Sequence, residues 1–101
     1  MLELDEAERV LDLSSADARA ARERMTLLLA MANPSPELLA EMKRLEGVYL
    51  DMIRVTDGVA ADEREESALV RGVLAHVPRQ LDHLRAAISQ VTATLAQRGT
   101  A

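Results

Sequence analysis

Apolar residues recur along this chain at alternating steps of three and four, the spacing that gathers side chains onto one face of an α-helix. The first series is Leu4, Ala7, Leu11, Ser14, Ala18, Ala21, Met25, Leu28 and Ala32. It reads as a heptad seam of the coiled-coil kind, with small residues in its middle that let a partner helix approach closely. The second series is Leu38, Met42, Leu45, Tyr49, Met52, Thr56 and Val59, widened by Leu39, Val48, Ile53 and Val55. A stripe that broad belongs to a helix covered on more than one side. The third is Val70, Val73, Val77, Leu81, Leu84, Ile88, Val91 and Leu95. Two successive steps of four surround Pro78, the phase slip expected where a proline kinks a helix; the alternative is that residues 76–78 join two helices.

Punctuation sets the boundaries. Asn33-Pro34-Ser35-Pro36 ends one helix and starts another. Asn tolerates a left-handed cap, Ser35 is an N-cap, and Pro36 fits the first helical position. Asp57-Gly58 is a second break, followed by an acidic first turn in Asp62-Glu63-Arg64-Glu65-Glu66. Without it, a helix from Pro36 onward would be about 90 Å long, beyond the ordinary globular range. Ser14-Ser15 could cap a separate helix, but the unbroken seam favours a continuous one. Gly47 lies inside the second helix at a cost of about 1 kcal/mol against Ala. Close helix approach is the expected reason. Gln97-Arg98-Gly99 supplies a terminal cap. The fold expected is all-α: one domain, a small antiparallel bundle or hairpin of three main helices near 4–32, 36–57 and 62–97, the third kinked at Pro78.

Composition sharpens this picture. The 101 residues include one Tyr, no Phe, no Trp and no Cys, yet are 49% hydrophobic, so the core must come from Leu, Val, Ala and Met. Such residues favour helices over strands. Absent cysteine excludes disulfides and thiolate metal sites, and fits a reducing compartment. The net charge of −5 gives no basic face for nucleic acid, and it suits basic or neutral protein partners. The N-terminus Met1-Leu2-Glu3-Leu4-Asp5-Glu6 is acidic, unlike a secretory signal. The apolar run from Thr26 to Ala32 is far short of the about 20 residues that cross a membrane. A cytoplasmic location, with no nucleic acid and no membrane as partner, is therefore the expectation.

Candidate chemistry is sparse. His76 and His83 lie about 10 Å apart along a helix, too far to grip one metal, and neither has a glutamate three residues before it. No phosphate loop, nucleophile set or zinc pattern is present, so no metal, cofactor or catalytic residue is expected. Arg19, Arg22 and Arg24, with Arg9 nearby, form the densest basic group. Arginines grip carboxylates and phosphates through paired hydrogen bonds. Here Glu6, Glu8, Asp17 and Glu23 offer partners at helical spacing, so a solvated face is expected. Lys43, Arg44 and Arg54 read the same way. Met25, Met31, Met42 and Met52 lie on or beside the seams, as core filler or as an adaptable binding surface. Tyr49 suits core or interface equally, its hydroxyl needing a bonded or wet end.

These observations point first to a non-enzymatic interaction module: an adaptor, small chaperone or assembly subunit offering a groove to a partner's amphipathic helix. In size, charge and hairpin-like layout the chain is similar to the small acidic helical chaperones of bacterial secretion systems. Met25, Leu28, Met42, Leu45, Tyr49 and Met52 are the candidate partner-binding residues. Stripes this extensive without aromatic bulk also predict association, as a homodimer or with a constitutive partner. The alternative, from another class, is a small dimeric all-α enzyme or ligand-binding regulator holding an anionic metabolite with Arg19, Arg22 and Arg24.

Overall fold

The computed structural model describes residues 2–31 and 34–99 and is all-α, a bundle of three long helices and one short one. Helix α1 spans Leu4–Met31, α2 Pro36–Asp57, α3 Ala61–Arg64 and α4 Ala68–Gly99. The predicted first helix end at Ala32 and the Asn33 cap lie outside the described residues. Helix α1 runs unbroken through Ser14-Ser15. At the start of α2, Ser35 is extended and its Oγ accepts the Leu38 N–H at 3.2 Å, with Pro36 following. A proline there lacks only an N–H that no helical carbonyl would have accepted.

The second break is real but has a different anatomy from the one expected. Gly58 is right-handed (φ −76°, ψ −12°), so no left-handed cap is formed. The chain instead bends through Val59, which makes an isolated parallel bridge with Leu2, and Leu2 N–H donates to the Gly58 carbonyl at 2.8 Å. A Cβ on Gly58 would lie 3.5 Å from the Leu2 Cβ, an ordinary van der Waals contact, so the crossing of Leu2 does not itself demand glycine. Arg64 then reaches back, Nε donating to the Val59 carbonyl at 2.9 Å and Nη2 to the Asp57 carbonyl at 3.0 Å. A helix's last carbonyls have no partner within it, and Arg64 serves one of them.

The predicted helix from 62 to 97 is corrected to two. The acidic first turn at Asp62-Glu63 belongs to α3, which lasts four residues. Helix α4 begins afresh at Ser67, whose Oγ accepts the Val70 N–H at 3.3 Å and donates to Glu8 Oε2 at 3.0 Å. That serine was not legible as a cap because the usual Glu or Gln three residues on is absent; Val70 stands there, and Glu8 of α1 supplies the carboxylate. Past that point α4 continues through Pro78 to Gly99, so residues 76–78 do not divide it. The carbonyl that Pro78 leaves without a donor belongs to exposed Leu74, where water can serve it.

The described residues of all three seams face inward. Ala7, Leu11, Ala18 and Ala21 of α1 are buried, as are Leu38, Met42, Leu45, Tyr49, Met52 and Thr56 of α2 and Val70, Val73, Val77, Leu81 and Leu84 of α4. Thr56 is tolerated there because its hydroxyl donates to the Met52 carbonyl at 2.8 Å. Helix α2 is central: α1 and α4 both pack along it antiparallel, so they run parallel to one another and touch only sparsely. The molecule measures 54 × 20 × 18 Å, close to the about 48 Å length of a 32-residue helix. The excess length of α4 over α2 does not hang free. Arg98 Nη1 donates to the Pro34 carbonyl at 3.1 Å at one end, and the 58–67 segment meets the other.

Candidate functional site

The gap between α1 and α4 is a trough floored by α2, and it holds the two cavities that define the site. One, of about 270 Å³, lies between Ser15–Arg22 of α1 and Ala68–Gln80 of α4, over Tyr49 and Met52. The other, of about 370 Å³, lies between Met25 and Leu29 of α1 and His83–Val91 of α4, over Leu38 and Met42. Because α1 and α4 run parallel, the two follow one another along the trough. The second is walled by Met25, Leu29, Leu38, Met42, Leu84, Ala87 and Val91, with His83 and Gln90 at its edge. Leu29 stands 56% exposed on its lip. The first is mixed: Ala18, Met52, Val73 and Val77 give it an apolar bed, and Ser15, Arg19, Arg22, Tyr49 and Gln80 bring polar groups to it.

The arginine cluster divides. Arg22 Nη1 donates to the Tyr49 hydroxyl at 3.1 Å, which accounts for the bonded end that a buried tyrosine requires. Arg24 turns away to α2, its Nε pairing with Glu41 Oε1 at 3.2 Å. Glu41 Oε2 is buried without a hydrogen-bond partner among the described residues, so Arg24 supports a carboxylate that is otherwise poorly solvated. Arg19 has no ion pair or hydrogen bond among the described residues and lines the first cavity. The expected pairing of these arginines with acids along α1 is thus replaced by cross-helix partners for Arg22 and Arg24. Arg54 does take an in-helix partner, Asp51, at 3.3 Å.

The six predicted partner-binding residues also divide. Met42, Tyr49 and Met52 form the trough floor but are only 3–4% exposed, so most of their surface serves this chain's own core. Met25 is half-buried on the wall. Leu45 is 2% exposed and lines neither cavity: it is core. Leu28 packs against that core from α1. Residues that sequence reasoning passed over include Leu29, one step of four beyond Met25, and Gly72, a helix-interior glycine in α4 that carried the same signal as Gly47. Gly47 itself is exposed and a Cβ there would meet nothing within 4 Å, so the expected close helix approach is not its explanation. His76 and His83 are both exposed, and no cluster of three or more potential metal ligands occurs among the described residues. No described helix is long and apolar enough to cross a membrane.

The fold and site together define a class, an all-α bundle whose central helix floors an open trough. No family model, curated protein or solved structure matches the chain.

Proposed function

We propose that this protein is a non-enzymatic interaction module that takes an amphipathic helix of another protein into the α1/α4 trough. The observation that carries the reading is the sparse contact between α1 and α4 over an apolar floor. Four-helix bundles fill such a space with a fourth helix, and helix-in-groove recognition uses an apolar stripe laid between two parallel walls. The second cavity, with Leu29 on its lip and Met25 and Met42 beneath, gives that stripe adaptable thioether surface to pack on. An adaptor, small chaperone or assembly subunit works in this way, without chemistry of its own. The cysteine-free composition suits a cytoplasmic setting.

A second copy of the chain is the competing occupant, and one experiment separates the two. The chain has no cysteine, so Leu29→Cys and, on the outer face of α2, Lys43→Cys each accept a single photo-crosslinking label. Irradiation in extracts of the native host, followed by mass spectrometry, is expected to give from position 29 an adduct with a defined helical segment of another protein, and not from position 43. An adduct of twice the chain's mass would assign the trough to a homodimer. Equal labelling from both positions, or none from position 29, would remove the reading.

A further inference from the structure

We propose that the first cavity is a binding site for a carboxylate carried on a short apolar stem, held by Arg19, Arg22, Tyr49 and Gln80. The inference does not rest on the partner-helix reading. It starts from a charge asymmetry: the chain has 17 acidic against 12 basic residues, yet two arginines and no acid line this cavity. Tyr49 adds a donor. Its oxygen accepts from Arg22, and its own O–H has no acceptor among the described residues, although the side chain is only 3% exposed. Arg19 likewise has no protein partner among them. Guanidinium groups and a phenol offer protons and, at neutral pH, the guanidinium groups accept none. The complementary group is an anion with acceptor oxygens, and a planar carboxylate matches the fork of an arginine.

Gly72 is the second, independent observation. It sits inside α4 where Ala would be more favourable by about 1 kcal/mol. It lines the cavity, and a Cβ built on it would meet nothing within 4 Å. Its missing side chain leaves open space in a cavity whose apolar lining includes Val73, Val77 and Met52. That space fits the hydrocarbon part of the ligand, since an apolar bed leaves no partner for a second charge. Ligand sites commonly combine an apolar cavity with a few converging polar groups, and at about 270 Å³ this one is matched to a small acid or a single acidic side chain.

Tyr49 is the sole aromatic residue, so its fluorescence reports on the cavity alone. The probes are octanoate, its neutral counterpart octanol, and two amidated helical peptides with a Leu/Ala stripe, one bearing a single Glu and the other Gln in its place. Octanoate is expected to change Tyr49 emission saturably while octanol does not, or the Glu peptide is expected to bind about tenfold more tightly than the Gln peptide. The first result names a free acid as the source of the carboxylate, the second a partner's side chain. In either case the double variant Arg19→Gln/Arg22→Gln weakens binding about tenfold or more. Arg24→Gln, whose charge is spent on Glu41, leaves it unchanged. Gly72→Met fills the cavity and abolishes binding without lowering the melting temperature. Equal binding of octanol and octanoate, peptides that do not distinguish Glu from Gln together with silent octanoate, or undiminished binding by the double variant would each overturn the proposal. Peptides that fail altogether while octanoate binds would name a free acid as the source of the carboxylate and leave the partner-helix reading to the crosslinking test.

Discussion

Individual side chains in this protein are used in ways their local sequence only partly discloses. Gly47 shows the simplest case. It occupies an exposed helix interior with open space around its Cα, so nothing offsets its backbone entropy. Gly47→Ala should stabilise the fold by about 0.5–1 kcal/mol, read as a higher urea midpoint at unchanged slope. Arg24 and Arg54 look alike as helix-surface cations but differ in what they hold. The Arg54–Asp51 pair is exposed on both sides, and such pairs contribute about 0–1 kcal/mol. Arg24 faces Glu41, which is only 16% exposed and has one oxygen already without a hydrogen-bond partner among the described residues. Arg24→Gln is expected to destabilise measurably more than Arg54→Gln, and equal effects in chemical denaturation would contradict that account. Both pairs were compatible with the sequence; only the neighbouring helix decided between them.

At the scale of elements, the helices were legible and their joints were not. Periodicity placed every described seam residue, and Ser35-Pro36 placed the start of α2, because both signals lie within a few residues of the structure they specify. The start of α4 escaped for a physical reason. Ser67 caps without a following acid, and its second bond goes to Glu8, fifty-nine residues away in sequence. Removing that hydroxyl takes away both the cap of α4 and a tie to α1. Ser67→Ala should therefore cost about 1–2 kcal/mol, at the upper end for an N-cap, and Glu8→Gln combined with it should be less than additive in a double-mutant cycle. Pro78 is the complementary case. The helix passes through it with a carbonyl deprived of its donor at an exposed position. Pro78→Ala restores that donor and is expected to raise stability by about 1–3 kcal/mol in thermal melts.

The whole molecule is an asymmetric bundle, in which one helix is covered on two sides and two helices on little more than one. Burial follows that rank. Leu45 on α2 touches the core from its centre, whereas Leu27 on the outer face of α1 is 62% exposed. Leu45→Ala should cost about 2–5 kcal/mol and Leu27→Ala no more than about 0.5 kcal/mol in the isolated chain, by equilibrium unfolding. A loss at Leu27 comparable with that at Leu45 would mean that the outer face of α1 is covered in solution. The trough arises at this scale alone. It exists because α1 and α4 choose α2 over each other, and no stripe on either helix announces that choice.

Helix content, the inward faces and two of the breaks were determined by the sequence itself, since local propensity, capping and a 3.6-residue period act over one or two turns. The tertiary structure decided which seam residues meet which. It put Leu45 in the core and left Met25 on a wall, turned Arg24 to Glu41 and Arg22 to Tyr49, and brought Gly72 to the same cavity as Arg22 and Tyr49. Those outcomes depend on how far apart two parallel helices settle on a third. That distance is fixed by side-chain packing between segments remote in the chain, and it is absent from any single helix.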